Sequence, residues 1–186
     1  MEQVLALRNA TLPLRRTIAV LLGTALVALA AQVAVPLPGT PVPMTLQPLA
    51  VLIVGGLLGS WPGGASLLLY LALGAAGLPV FTPVGLPGVA RLLGPTGGYL
   101  LAYPLAAYAV GRLVGDGQRI GRVALAAFAG LVLIHLGGLA QLLVLTGSLS
   151  RAAQLATIPF LLGDFIKLVL AVLILRPTIR PVRARL

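Results

Sequence analysis

Six long apolar stretches, separated by basic or proline-rich connections, take up most of this 186-residue chain. They lie near residues 17–35, 45–60, 64–78, 95–113, 121–146 and 159–175. A membrane-crossing helix needs about 20 mainly apolar residues. The runs are continuous, without the two-residue alternation of a membrane β-barrel. The composition fits: 59% of residues are hydrophobic, 9% are charged, and the mean hydropathy is +1.09. Soluble proteins carry about 25% charged residues, so this chain cannot cover a globule in water. A soluble enzyme, a disordered tail and a nucleic-acid-binding domain are excluded, despite the net charge of +10. The expected fold is an all-α integral membrane protein with six transmembrane helices. It forms one membrane domain over residues 1–186, with an N-terminal segment at 1–16, a six-helix bundle at 17–175 and a basic tail at 176–186. With no cysteine, disulfides and thiolate chemistry are impossible.

The basic residues set the expected orientation. Arg8, Arg15 and Arg16 precede the first stretch. Arg112, Arg119 and Arg122 lie between the fourth and fifth, and Arg176, Arg180, Arg183 and Arg185 follow the sixth. Six crossings put all ten on one side, leaving Arg91 and Arg151 opposite and Lys167 inside a span. By the positive-inside rule both termini are cytoplasmic in the cell membrane. The start of the chain, with Ala28-Leu29-Ala30 after the first apolar run, also fits a cleavable signal peptide; a multispanning protein needs none.

The connections are unequal. Residues 36–43 (PLPGTPVP) and 79–93 (PVFTPVGLPGVARLL) hold seven of the fifteen prolines. Proline stiffens loops, so these two are either plain connectors or a rigid lid over an outward-facing cavity. Trp61-Pro62-Gly63-Gly64 reads as a turn between the second and third stretches. Pro159 suits the first turn of the last helix. The pairs Gly55/Gly59 and Gly111/Gly115 have the small-xxx-small spacing of close helix packing.

Few residues can do chemistry. Glu2 sits at the terminus and Asp116 in a basic loop, both expected to be solvated. Asp164 and Lys167 differ. They lie inside the last stretch, three residues apart, so they share a helix face. Each charge would cost roughly 2.5–3.5 kcal/mol at mid-membrane, so both should point into the bundle. They form either a structural ion pair or a polar ligand site. Buried pairs rarely gain over apolar replacements, which favours the ligand site. Aspartate accepts from N–H groups and lysine donates to a carbonyl or carboxylate. His135 stands alone in the fifth stretch, with no second histidine and no neighbouring carboxylate, and reads as a core histidine. Gln47 is divided between ligand and helix contact, and Gln141 is weighted to packing. Tyr70, Tyr99, Tyr103 and Tyr108 are belt or cavity-wall residues, and Trp61 is an interfacial anchor. The sequence has no P-loop, paired carboxylates or HExxH motif, so neither ATP hydrolysis nor other enzyme activity is expected. No metal site and no cofactor are expected.

Four segments carry a resemblance. VPLPGTPVPMTLQPLAVLIVGGLLGS (35–60), LYLALGAAGLPVF (69–81) and LLGPTGGYLLAYPLAAY (92–108), followed by IPFLLGDFIKLVLA (158–171), resemble the BioY family. These are the biotin-specific S components of energy-coupling factor (ECF) transporters. The resemblance covers roughly residues 17–175. It implies a six-helix subunit that captures biotin near the outer surface. It implies docking on a transmembrane coupling protein driven by two ATPase subunits. It places Asp164 and Lys167 in the biotin pocket and Arg91 at its rim; Gln47, Tyr99 and Thr82 are expected as further binding residues. Thr82-Pro83-Val84-Gly85 departs from the Gly-rich run that follows PVF in many members. The resemblance also implies docking through small residues of the first helix, for which Ala19, Gly23, Ala30 and Ala34 supply the spacing.

The chemistry of biotin agrees with such a pair. Its ureido ring has two N–H donors and one carbonyl, and its valerate ends in a carboxylate. Asp164 can take an N–H, Lys167 the carbonyl and Arg91 the carboxylate, or head and tail are reversed. Two rivals stay open at this level: an S component for another small vitamin, and a stand-alone secondary carrier coupled through Asp164.

Overall fold

The computed structural model describes residues 2–186, with side chains from Leu12 onward. The side chains of Glu2 and Arg8 therefore lie outside the described residues. Six principal helices follow the six apolar stretches: α1 (Glu2–Gln32), α2 (Gln47–Leu58), α3 (Ser60–Ala75), α5 (Gly97–Leu113), α6 (Ile120–Thr146) and α8 (Leu161–Arg183). Two short helices, α4 (Val89–Leu93) and α7 (Leu149–Ala156), are added in the connections. So is an antiparallel ribbon of β1 (Ala34–Val35) and β2 (Met44–Thr45), pairing Ala34 with Thr45. Among the described residues, three segments are long and apolar enough to cross a membrane: Leu12–Gln32, Ile120–Thr146 and Leu149–Arg183.

Local chemistry sets the boundaries. Gln47-Pro48 opens α2 with proline in the first turn, where no intrahelical N–H is needed. The break between α2 and α3 falls at Gly59, whose φ of 86° only glycine adopts readily. The turn expected at Trp61–Gly64 is therefore displaced: those residues form the first turn of α3, where Pro62 is again tolerated. Ser148 caps α7, its hydroxyl accepting from the Arg151 N–H. Pro159 sits in a 3-10 turn, Ile158–Phe160, that leads into α8 instead of lying within it. The basic stretch after residue 175 continues α8 as helix to Arg183.

Burial runs opposite to that of a soluble protein. Leu22, Leu29, Leu125, Phe128, Val144, Leu162, Phe165 and Leu173 are exposed on outer faces. Thr24, Gln47, Ser66, Arg91, Asp164 and Lys167 are buried. Apolar surface suits lipid, and polar groups there must be satisfied internally. Every buried polar side-chain atom among the described residues has a hydrogen-bond partner.

Close helix contacts depend on glycine. A methyl group on Gly55 would overlap the Ala107 backbone, and one on Gly111 would overlap the Gly59 backbone. The small-xxx-small spacing thus packs α2 against α5 through its first members, while Gly59 and Gly115 are turn glycines with positive φ. The same crowding joins α5 to α6, where Gly98 and Gly137 each face the other's carbonyl oxygen.

The basic end is also tied together. Arg183 donates to the carbonyls of Gly56 (2.7 Å), Gly115 (2.9 Å) and Leu57 (3.4 Å). These lie at the C-terminal ends of α2 and α5, where carbonyls lack helical partners and the dipole favours a cation. Arg15 reaches the Arg185 carbonyl at 3.4 Å, so the turn of α1 that carries Arg15 and the end of α8 lie on the same side.

Candidate ligand pocket

At the opposite end, α2, α5 and α8 all begin around one pocket. Its walls are Gln47 and Pro48 of α2, Tyr99, Leu100 and Tyr103 of α5, Ile134 and His135 of α6, and Asp164 and Lys167 of α8. The connections close it with Val42, Pro43, Thr45, Phe81, Thr82, Thr96 and Phe160. Both proline-rich loops therefore form part of the enclosure. One is held by the Thr40 hydroxyl donating to Leu155 O (2.8 Å), the other by Gln32 Nε2 donating to Phe81 O (3.2 Å). The open volume is about 50 Å³, well under the ~300–1,000 Å³ of typical small-molecule pockets. A ligand must therefore part the loops or the side chains to enter.

Asp164 is the centre of the polar wall. Its Oδ1 accepts from Lys167 Nζ at 2.8 Å, and its Oδ2 lies 2.6 Å from His135 Nε2. Asp164 also stands in the first turn of α8, where the helix dipole favours an anion. His135 Nδ1 is 3.2 Å from the Ala156 carbonyl oxygen, which also accepts from the Tyr99 hydroxyl at 2.6 Å. Across the pocket Gln47 Nε2 donates to the Tyr70 hydroxyl at 2.7 Å, and the Thr45 hydroxyl donates to Gln47 Oε1 at 3.2 Å. Aromatic faces complete the lining: Tyr99, Phe160 and His135 pack mutually with ring centroids 6.0–6.4 Å apart. The cavity offers a carboxylate, an ammonium and an amide between apolar rings. That set can hold a compact ligand with both donor and acceptor edges.

Of the residues singled out from the sequence, Asp164, Lys167, Gln47, Tyr99 and Thr82 share this pocket. Arg91 does not reach it. Its guanidinium is buried and turned into the preceding loop, donating to the carbonyls of Thr82 (2.8 Å), Leu86 (2.8 Å) and Val84. A planar fork of donors matches converging carbonyls, so Arg91 fixes the loop that carries Phe81 and Thr82. The small residues of α1 do not form one exposed face. Ala19 and Gly23 lie on the buried face, Gly23 against Ser66 of α3. Ala30 is half-buried against the core, and Ala34 belongs to β1. Gln141 acts as expected in packing, donating to Leu93 O at 3.2 Å. Tyr108 stacks edge-on with the exposed Trp61.

His135 is the residue that sequence reasoning missed. It has a carboxylate partner, on a span 29 positions away. A polar group inside an apolar stretch needs a partner, and Asp164 is the one acid in any of the six apolar stretches. That elimination was the available signal.

The model of the BioY family matches residues 3–184. The chain belongs to the BioY family. It is 39% identical over 156 residues to a probable biotin transporter BioY of Pyrococcus horikoshii, covering 83% of this chain and 90% of that one. It is 36% identical over 151 residues to the biotin transporter BioY of Thermotoga maritima, covering 81% and 88%. The crystal structure at 2.1 Å of the S-component for biotin from an ECF-type ABC transporter superposes with a TM-score of 0.78. The identity there is 28%, over 89% of this chain and 90% of that one. The BioY chain described here is therefore a membrane transport protein by family and by fold.

Proposed function

We propose that this chain is the biotin-binding S component of an ECF-type transporter for biotin uptake. The observation that carries the reading is the Asp164–Lys167 pair facing an enclosed aromatic pocket in a BioY-family chain. A purely structural pair needs no cavity beside it. In the bound state Asp164 accepts a ureido N–H and Lys167 donates to the ureido carbonyl. The thioether ring and alkyl chain lie among Tyr99, Tyr103, Phe81 and Phe160. The carboxylate points to the mouth, near the hydroxyls of Thr82 and Thr96. Gln47 holds the wall opposite Asp164.

All six principal helices cross the cell membrane in this reading, with both termini cytoplasmic and the pocket opening outward. Support comes from the basic residues gathered at the end opposite the pocket. Transport needs a transmembrane coupling protein and two ATPase subunits. The exposed apolar face of α1, around Leu22, Ala25 and Leu29, is the docking surface we assign to the coupling protein. It stands at the edge of the bundle, packed on one side only.

Equilibrium titration of the purified chain with biotin, in competition with other small vitamins, tests the reading. Saturable binding displaced by biotin alone is expected. Preference for another vitamin, or uptake that persists without ATPase subunits, would overturn it.

A further inference from the structure

A second cavity opens at the basic end, between α1, the break from α2 to α3, and the end of α8. Its open volume is about 420 Å³, against about 50 Å³ for the ligand pocket. Two guanidinium groups border it, Arg16 of α1 and Arg183 of α8. Arg183 gives four N–H groups to the carbonyls of Leu57, Gly115, Gly56 and Gly111. A guanidinium has five, so one N–H on Nη1 and the whole charge remain. Arg16 is exposed. Among the described residues no carboxylate pairs with either group, the Leu186 carboxylate included; Asp116 is taken by Arg180 and Asp164 by Lys167. Ser60 stands between them in the first turn of α3, where backbone N–H groups lack helical partners and the dipole favours an anion. The outer wall is the exposed indole of Trp61.

We propose that this cavity holds the phosphate of an anionic phospholipid, with an acyl chain laid along α3. Two unpaired guanidinium groups and a helix N-terminus converge on one space, which suits a phosphate. Three features choose a lipid over a soluble anion. Tryptophan belongs at the membrane–water interface, so Trp61 puts the cavity at headgroup depth. Beyond it Ala65, Leu68 and Ala72 are exposed at i+4, i+7 and i+11 from Trp61, one apolar stripe leading from the cavity toward the bilayer interior. Basic pockets between transmembrane helices on the cytoplasmic side are also where anionic headgroups bind. Phosphate oxygens accept from Arg16 and from the remaining Arg183 N–H, and the lipid then bridges α1 and α8. The inference rests on the six-crossing reading above and is independent of biotin.

Native mass spectrometry of the intact chain, released from neutral detergent, tests the site. It compares retention of phosphatidylglycerol and phosphatidylcholine with identical acyl chains. Phosphatidylglycerol should be held about tenfold more tightly, the worth of one charged hydrogen bond, and Arg16→Gln should remove that preference. Arg119→Gln makes the same change of charge at the same end but lies outside the cavity, and should keep it. Ser60→Phe fills the cavity without altering charge; it should remove the preference too, and serves alone should Arg16→Gln unfold. Inorganic phosphate in millimolar excess should leave the lipid bound. No preference in the wild type, equal loss in the Arg16 and Arg119 variants, or a preference kept in folded Ser60→Phe would overturn the proposal. Displacement by inorganic phosphate would overturn the choice of a lipid. Labelling of Arg119→Cys from outside would sink the six-crossing reading instead, whereas a missing lipid preference alone would leave that reading standing.

Discussion

Asp164 is legible in the sequence because a carboxylate inside an apolar run has no cheap place to go. Lys167 is legible because three residues in a helix bring two side chains together. The role of Arg91 was not legible: whether a loop arginine meets a ligand or its own backbone depends on where the carbonyls of Thr82, Val84 and Leu86 turn. That is a tertiary fact with no periodic trace. Two predictions belong here. Asp164→Asn keeps shape and one acceptor but removes charge. Hydrogen bonds to charged groups contribute roughly 1.5–3 kcal/mol, so biotin binding should weaken by about one to two decades, measured by equilibrium titration. Lys167→Met should do comparably. Arg91→Gln should loosen the 82–86 loop and speed biotin dissociation by about tenfold, the worth of one charged bond. Arg91→Lys should restore little, since an ammonium lacks the fork. Stopped-flow dissociation rates check this, and an unchanged rate would show that the loop holds without the guanidinium.

Among the elements, α2, α3, α5 and α6 were readable from apolar run length alone, to within about four residues, whereas α1 begins at Glu2 and α8 runs on to Arg183, well beyond the apolar runs at 17–35 and 159–175. The short elements were not readable. The ribbon at Ala34–Val35 and Met44–Thr45 and the small helices α4 and α7 lie in segments with no sustained period. The bend at Gly59 was misplaced because Trp61-Pro62-Gly63-Gly64 carries stronger turn chemistry than a lone glycine. Helix packing gives a direct test. Gly111→Ala sets a methyl group against the Gly59 backbone, whereas Gly121 has open space around its Cα. Overpacking costs typically 1–3 kcal/mol. Gly111→Ala should therefore lower the unfolding midpoint in detergent clearly, and Gly121→Ala should not lower it; equal effects would contradict the packing. The loop before α6 gives a pH test. The Gln118 backbone N–H, then Arg180, holds the Asp116 carboxyl below the usual carboxylate range. A lowered carboxyl stabilises above its ordinary value near pH 3.9 and loses that contribution as pH falls through the lowered one. Asp116→Asn should lower the midpoint slightly at pH 7, and the difference should vanish in strong acid.

The whole molecule sorts its chemistry by end: arginines that cap helix C-termini at one, helix N-termini around a carboxylate at the other. That polarity follows from chain direction once the helix count is even, which is why charge counting in the sequence anticipated it. The orientation is testable with cysteines at Thr40 and Arg119, which should react oppositely with an impermeant reagent added outside. Labelling of both from outside would contradict six crossings. Docking is testable with Ala25→Trp on the exposed face of α1, expected to weaken assembly with the coupling protein while leaving biotin affinity unchanged. The central claim is that Asp164 and Lys167 serve a ligand and are more than a pair for each other. If they were only a structural pair, removing both at once would leave no stranded charge and would restore binding. The decisive measurement is biotin titration of the intact Asp164→Asn/Lys167→Met double variant, with its unfolding midpoint recorded alongside. A folded variant that binds biotin no better than the weaker single change is the result predicted here; near-native affinity in that folded variant would contradict the account.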